Sequence, residues 1–358
     1  LNRKLWMSVV MGMLAIMLVL SGCGAKKDPK EALQAAMDNA VKMKSYDFKA
    51  SFVLNDLNVS SPELTANPEV GMVYNMLKNA QVTVTGAYQK DPMQMEMNVD
   101  LTIKGDASFT LNMPIVMTKE KMWVKIPSIP MIPMPENLVG KFVEIDMKKL
   151  AEQAGESTVP TFDTAKSQEL SMDIMKILFE KFDGKTFFQE VDAKSVTLPE
   201  GVEAKQVVKL AINNENLEQG LTVLVKDVAP QVLDLLASDK YKDMIPSLKA
   251  EDIATAKKDL TDEAKLKEAL AEIKKGFKIN DLNVVTAVNK DQFPAYQEAN
   301  INVDVTAEGS TVKVNAKVTS EYSNINGKPS FKIGTPPQDV IPMEQLEQMF
   351  GGAGVAAE

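Results

Sequence analysis

Met93, Met95 and Met97 stand at every second position of one segment, so on an extended chain their thioethers share a face. A flexible thioether fills irregular apolar space and suits a wall against an acyl chain. Soft sulfur is also a ligand for copper(I). Successive sulfurs on one strand lie roughly 7 Å apart, too far to share an ion without help from a second strand. Plain core packing is the more ordinary account of the row. With Phe48, Phe52, Phe109, Met113 and Trp123 these methionines form the candidate apolar wall, and Met117, Met122, Met131 and Met134 extend it. Trp123 reads either as a ligand-stacking ring or as a large core residue.

Other chemistries find less material. The chain has no histidine, and Arg3 is its only arginine. The commonest general base and metal ligand is thus missing, and so is a bidentate fork for phosphate in the folded part. Carboxylates are plentiful, but no pair stands out as the two acids of a glycosidase would. No catalytic residue, metal site or cofactor is therefore assigned, and a hydrolase would need acids converging in a cleft. The segment Asn55-Asp56-Leu57-Asn58-Val59 recurs as Asn280-Asp281-Leu282-Asn283-Val284. Its oxygens could serve calcium, yet EF-hand spacing and the closing glutamate are missing, and turn chemistry explains Asn and Asp there. The formal charge is −9, so a broad surface for nucleic acid or anionic head groups is not expected.

Cys23 is the single cysteine, which leaves no internal disulfide and no Cys–His pair. It follows Arg3 and Lys4, an uncharged run from Trp6 to Leu20, and the small residues Ser21 and Gly22. The apolar run is short for a membrane span and suits a signal segment. Leu20-Ser21-Gly22-Cys23 resembles the lipobox of bacterial lipoproteins. That resemblance implies diacylglycerol on the Cys23 thiol, cleavage before it, and a chain held at the outer face of the cytoplasmic membrane of a Gram-positive cell. The two acyl chains of that diacylglycerol, of the palmitate kind, satisfy the requirement for stable anchoring. Leu1 stands where a start methionine is expected. Loss of Arg3 and Lys4 would leave the mature chain two charges more negative.

The remaining pattern describes what must position the apolar wall. Asp28-Pro29-Lys30-Glu31 opens a helix, with Leu33, Ala36, Met37, Ala40 and Val41 on one stripe. The period then falls from 3.6 to 2. Tyr46 to Leu54, Val82 to Tyr88, Met93 to Ile103, Ala107 to Met113 and Met122 to Ile126 read as a meander. The proline run 126–135 reads as an apolar loop that helps to enclose a ligand. Further helices are expected over 168–182, from Glu215 to a stop or kink at Pro230, and from Thr261. Strands are expected at Phe142–Ile145, Phe187–Val191, Val207–Ile212, Ile301–Ala307 and Val312–Val318, and a short helix at Met343–Phe350.

The order of Cys23, helix Pro29–Lys44, strand Tyr46–Leu54 and a meander ending at Met122–Lys125 resembles the LolA/LppX-like lipoproteins. The resemblance implies an α+β fold: an antiparallel curved sheet or half-barrel with amphipathic helices packed on its concave face. Members of that family carry lipids or lipoproteins in the cavity between the two layers. The expected organisation is a signal segment at 1–22, a lipidated cysteine and tether at 23–27, and an α+β domain at 28–350. That domain could consist of two related halves meeting near 260, and a disordered tail is expected at 351–358. The expected function is non-enzymatic binding of an apolar ligand such as a lipid, with the membrane as partner. The alternative is a structural or protein-interaction module of the cell envelope.

Overall fold

Asp28 starts the first helix, α1 (Pro29–Ala40), by accepting hydrogen bonds from the Lys30 and Glu31 backbone N–H groups at 3.0 and 3.4 Å. Such a cap is worth about 1 kcal/mol. Ala32, Leu33 and Ala36 form the buried stripe of α1. The protein is described here from a computed structural model, over residues 26–60, 71, 74–76, 78–104, 108–129, 135, 137–149, 164–244, 249–260, 262–307, 310–343 and 345–346. Cys23, Ala107, Met131 and Met134 of the proline run, and the tail at 351–358 lie outside the described residues.

The described strands form one twelve-stranded sheet, curved and not closed. They are β1 (Ser45–Ser60), β2 (Ala80–Gln89), β3 (Gln94–Ile103), β4 (Phe109–Thr118), β5 (Lys121–Lys125), β6 (Phe142–Asp146), β7 (Phe188–Val191), β8 (Gln206–Ile212), β9 (Phe277–Val288), β10 (Pro294–Ala307), β11 (Ser310–Ser323) and β12 (Val340–Pro342). Their order is β12-β6-β5-β4-β3-β2-β1-β11-β10-β9-β8-β7. All neighbours are antiparallel except β12 and β6. Because β1 pairs with β11, residues before and after 260 share one sheet. The alternation expected from sequence runs through the ladders. Pro114 is tolerated within β4 because the β4–β5 pairing covers only Ile115–Met117, so its missing N–H costs no bond on that side.

The repeated Asn-Asp-Leu-Asn-Val segments are not turns. Both lie inside long strands, β1 and β9, and in both the first asparagine is the extra residue of a β-bulge. The register steps from Leu54 to Asp56 against β11, and from Asp281 to Ile279 against β10. An unpaired residue re-aims a strand and increases its twist, and Asn55 and Asn280 turn their amides to Asn315 and Asn302 at 3.2 Å each. Turn chemistry was the wrong expectation because a short polar run reads alike in a turn and in a bulge.

Seven α-helices among the described residues gather against one half of the sheet, over β7 to β10. They are α1, α2 (Thr164–Lys181), α3 (Gly184–Phe187), α4 (Leu217–Thr222), α5 (Ala229–Ala237), α6 (Ala250–Leu260) and α7 (Glu263–Gly276). Under α1 and α2 lies a core of Leu33, Phe179, Phe182, Phe187, Phe188 and Val208. Pro230 does not end the helix that begins at Leu217. A π-helical stretch, Val223–Val228, joins α4 to α5, and Pro230 falls in the first turn of α5. There its absent N–H is not needed, and the widened turn makes room for the ring.

The other face of the sheet is crossed by the segment after β11. Glu96, 5% exposed, accepts hydrogen bonds from the backbone N–H groups of Lys332, Ile333 and Gly334 at 2.6, 2.8 and 2.9 Å. Asp47 likewise holds the Ser330 N–H and hydroxyl at 2.9 and 2.7 Å. Thus fastened, the strap lays Ile333 and Val340 over Val116, Trp123 and Phe142, then enters the sheet as β12.

Candidate functional site

Reading the registers across the sheet gives the inner face, the one that bears the helices. From β6 towards β11 it presents Val143, Val124, Ile115, Met97, Gly86, Phe48 and Tyr322 in one row. A second row runs Ile145, Met122, Met117, Met95 and Tyr88. Further rows join Phe109 to Ile103, Met113 to Val99 and Val84, and Val82 to Phe52 and Val318. No inner position of β1–β6 or β8–β11 carries a charged side chain. Where the helices lie over β8–β10 this face is ordinary core. Over β1–β5 and β11 it is half-buried, and the cross-strand partners Phe52 and Val318 are 40% and 37% exposed.

Of the residues expected to form the wall, the structure brings Phe48, Phe52, Met95, Met97, Phe109 and Met113 onto this one face. Two depart from it. Trp123 points to the opposite face, 3% exposed beneath the strap, with its indole N–H on Glu144 at 2.9 Å. Neighbours on a strand point to opposite sides, and Met122 holds the inner position, so both could not join one wall. The Glu144 carboxyl is held below the usual range, chiefly by the Lys121 ammonium at 2.6 Å and also by the indole. Met93 lies in the turn before β3, outside the ladder.

Alignment of Met95, Met117 and Met122 supplies the neighbouring strands that shared thioether ligation would need. Among the described residues no group of three or more His, Cys, Asp or Glu side chains converges.

Gly86 keeps the centre of the face flat. A Cβ there would lie 2.3 Å from the Glu96 carbonyl oxygen and 2.8 Å from Phe48 Cζ, so the Phe48 ring lies where only a glycine leaves room.

At the end of the face where β1 starts and β11 stops, the sheet meets a gap between α1 and α2. The gap has a volume of about 510 Å³ and is lined by Met37, Val41, Met172, Met175, Phe179 and Tyr322, within the size range of small-molecule sites. Tyr322 belongs to both gap and face, since it pairs across strands with Phe48. Its ring stands edge-on to Tyr46 at 5.3 Å, and Tyr46 lies 5.1 Å from Tyr88. Burial pushes the Tyr46 phenol up to about 12, with a smaller contribution from the two neighbouring tyrosines, so it stays a neutral donor at ordinary pH. Tyr46, Tyr88 and Tyr322 are not among the residues expected from sequence to form the wall. Tyr46 and Tyr88 carried a signal, since they alternate in phase with Phe48 and Val84. Nothing local ties Tyr322 to them.

A profile described as a family of unknown function, DUF6612, matches residues 241–345, which hold α6, α7, β9–β11, the strap and β12. No curated protein matches the chain. Among solved structures, the crystal structure of the Mycobacterium tuberculosis lipoprotein LppX overlaps 84% of this chain and 98% of its own at 8% identity and a TM-score of 0.31. An overlap that loose carries no argument. Among the described residues no helix is long and apolar enough to cross a membrane.

Proposed function

We propose that this protein is an extracytoplasmic lipoprotein, held at the outer face of the cytoplasmic membrane by a lipid on Cys23, that binds an apolar molecule such as a lipid on the inner face of its sheet. The observation that carries the binding reading is the Phe52–Val318 pair. Large apolar side chains sit exposed in the middle of a sheet face that carries no charged side chain over β1–β6 and β11, while helices α1–α7 gather over β7–β10. Folded chains rarely leave a contiguous apolar patch open without a use for it. Over β1–β6 and β11 the face offers no carboxylate or amine to do acid–base chemistry, so the reading is one of binding rather than catalysis.

Native mass spectrometry tests it. The protein should retain a mass that is released into organic solvent and matches a lipid, or should acquire one from a membrane lipid extract. Phe52→Glu places a charge where an acyl chain would lie and should weaken that binding at least tenfold, about 1.4 kcal/mol. Folding stability should change little, since the position is already exposed. An unchanged apo mass after incubation with the extract would sink the reading. The anchor is tested separately: Cys23→Ser should move the protein from the membrane fraction to the medium, and retention at the membrane would count against lipidation.

A further inference from the structure

Over β1–β5 the inner face is apolar and free of charge except for one feature of a different chemistry, the phenols gathered where face and gap meet. Tyr46 and Tyr322 donate to no acceptor among the described residues. Buried side-chain oxygens without a partner are absent there as well, so both hydroxyls open onto accessible space. A phenol among apolar rings loses water when a ligand covers it, and an unmatched donor then opposes binding. A ligand that brings its own acceptor to this point removes that penalty.

The lining of the gap narrows the acceptor. Its cation, Lys176, is already paired with Asp173 at 3.4 Å, and Asp38 lines the gap from α1. Hydroxyl donors at a gap that also holds Asp38 favour a carbonyl over a phosphate. From this we infer that the Tyr46 and Tyr322 hydroxyls hold the ester carbonyls of a neutral acyl lipid. Its chains lie along the face of β1–β5 and into the gap between α1 and α2. The inference rests on the apolar-ligand reading and names the class of ligand and the residues that select it.

The test compares three radiolabelled probes on the purified full chain stripped of lipid: dioleoylglycerol, hexadecane and dioleoylphosphatidylglycerol. The first has ester carbonyls and no charge, the second has neither, and the third has both. The unaltered protein should bind dioleoylglycerol most tightly. Tyr46→Phe and Tyr322→Phe should each weaken it roughly three- to tenfold, as expected of a single neutral hydrogen bond. Hexadecane binding should stay unchanged in both variants, which also shows that they fold. Equal loss for hexadecane, no loss for dioleoylglycerol, or a preference for the anionic lipid would each overturn the inference while leaving apolar binding intact. Failure of every probe to bind the unaltered protein would overturn the apolar-ligand reading and this inference with it.

Discussion

Phe187→Ala is expected to remove about 3–5 kcal/mol of folding stability, the usual loss when a fully buried aromatic ring is truncated. Phe187 is 0% exposed and stands edge-on to Phe182 at 4.9 Å. Above it Gly220 of α4 presents no side chain; a Cβ there would come within 3.4 Å of the ring. The ring therefore fills a space bounded by α1, α2, α4 and the β7–β8 edge, and none of these can close in without shifting the others. Asp183 sets its position by capping α3, accepting from the Thr186 N–H at 2.8 Å. Urea unfolding followed by circular dichroism measures the loss as a lower midpoint at unchanged slope. A loss under about 1 kcal/mol would mean that the helical layer collapses into the vacancy and is less tightly built than its packing implies.

Glu96→Ala should cost roughly 2–4 kcal/mol, because it strips three backbone N–H groups of the acceptor they share. Its effect should also be local in a way that Phe187→Ala is not. The strap would detach from β3, and water would reach Val116, Trp123 and Phe142. Trp123 emission should shift to the red before global unfolding, and amides 332–334 should lose hydrogen-exchange protection ahead of those in β1 and β11. Glu96→Gln retains one acceptor oxygen and should lose less. An unshifted Trp123 spectrum in Glu96→Ala would show that the apolar contacts of Ile333 and Val340 hold the strap without the carboxylate. Apolar ligand binding should survive in Glu96→Ala, since the strap and the Phe52–Val318 pair lie on opposite faces.

Much of the architecture was legible from local pattern. The cap at Asp28, the period-2 runs and the turn from helical to extended spacing each depend on residues within one or two turns of one another. Which residues share a face was legible wherever one strand sufficed, as with Met95 and Met97. It failed at Trp123, where Met122 and Trp123 were both assigned to a face that alternation allows only one of them to share. It failed at the Asn-Asp-Leu-Asn-Val segments because a bulge is defined by its partner strand, which no local window contains. Of the stop or kink expected at Pro230 the stop does not occur, because a preceding π-helical stretch absorbs the proline and the helix continues.

By itself the sequence determined that this chain would make a sheet of alternating strands with one apolar face, and that a capped amphipathic helix would precede it. It also determined, through the missing histidine and the lone cysteine, which chemistries that face could not offer. Tertiary structure alone decided which strands meet. It paired Phe48 with Tyr322, aligned Met95 with Met117 and Met122, and put the helices over β7–β10 so that Phe52 and Val318 stay open. Alternation is set by the backbone of each strand, whereas pairing is set by the burial that the whole chain can achieve at once.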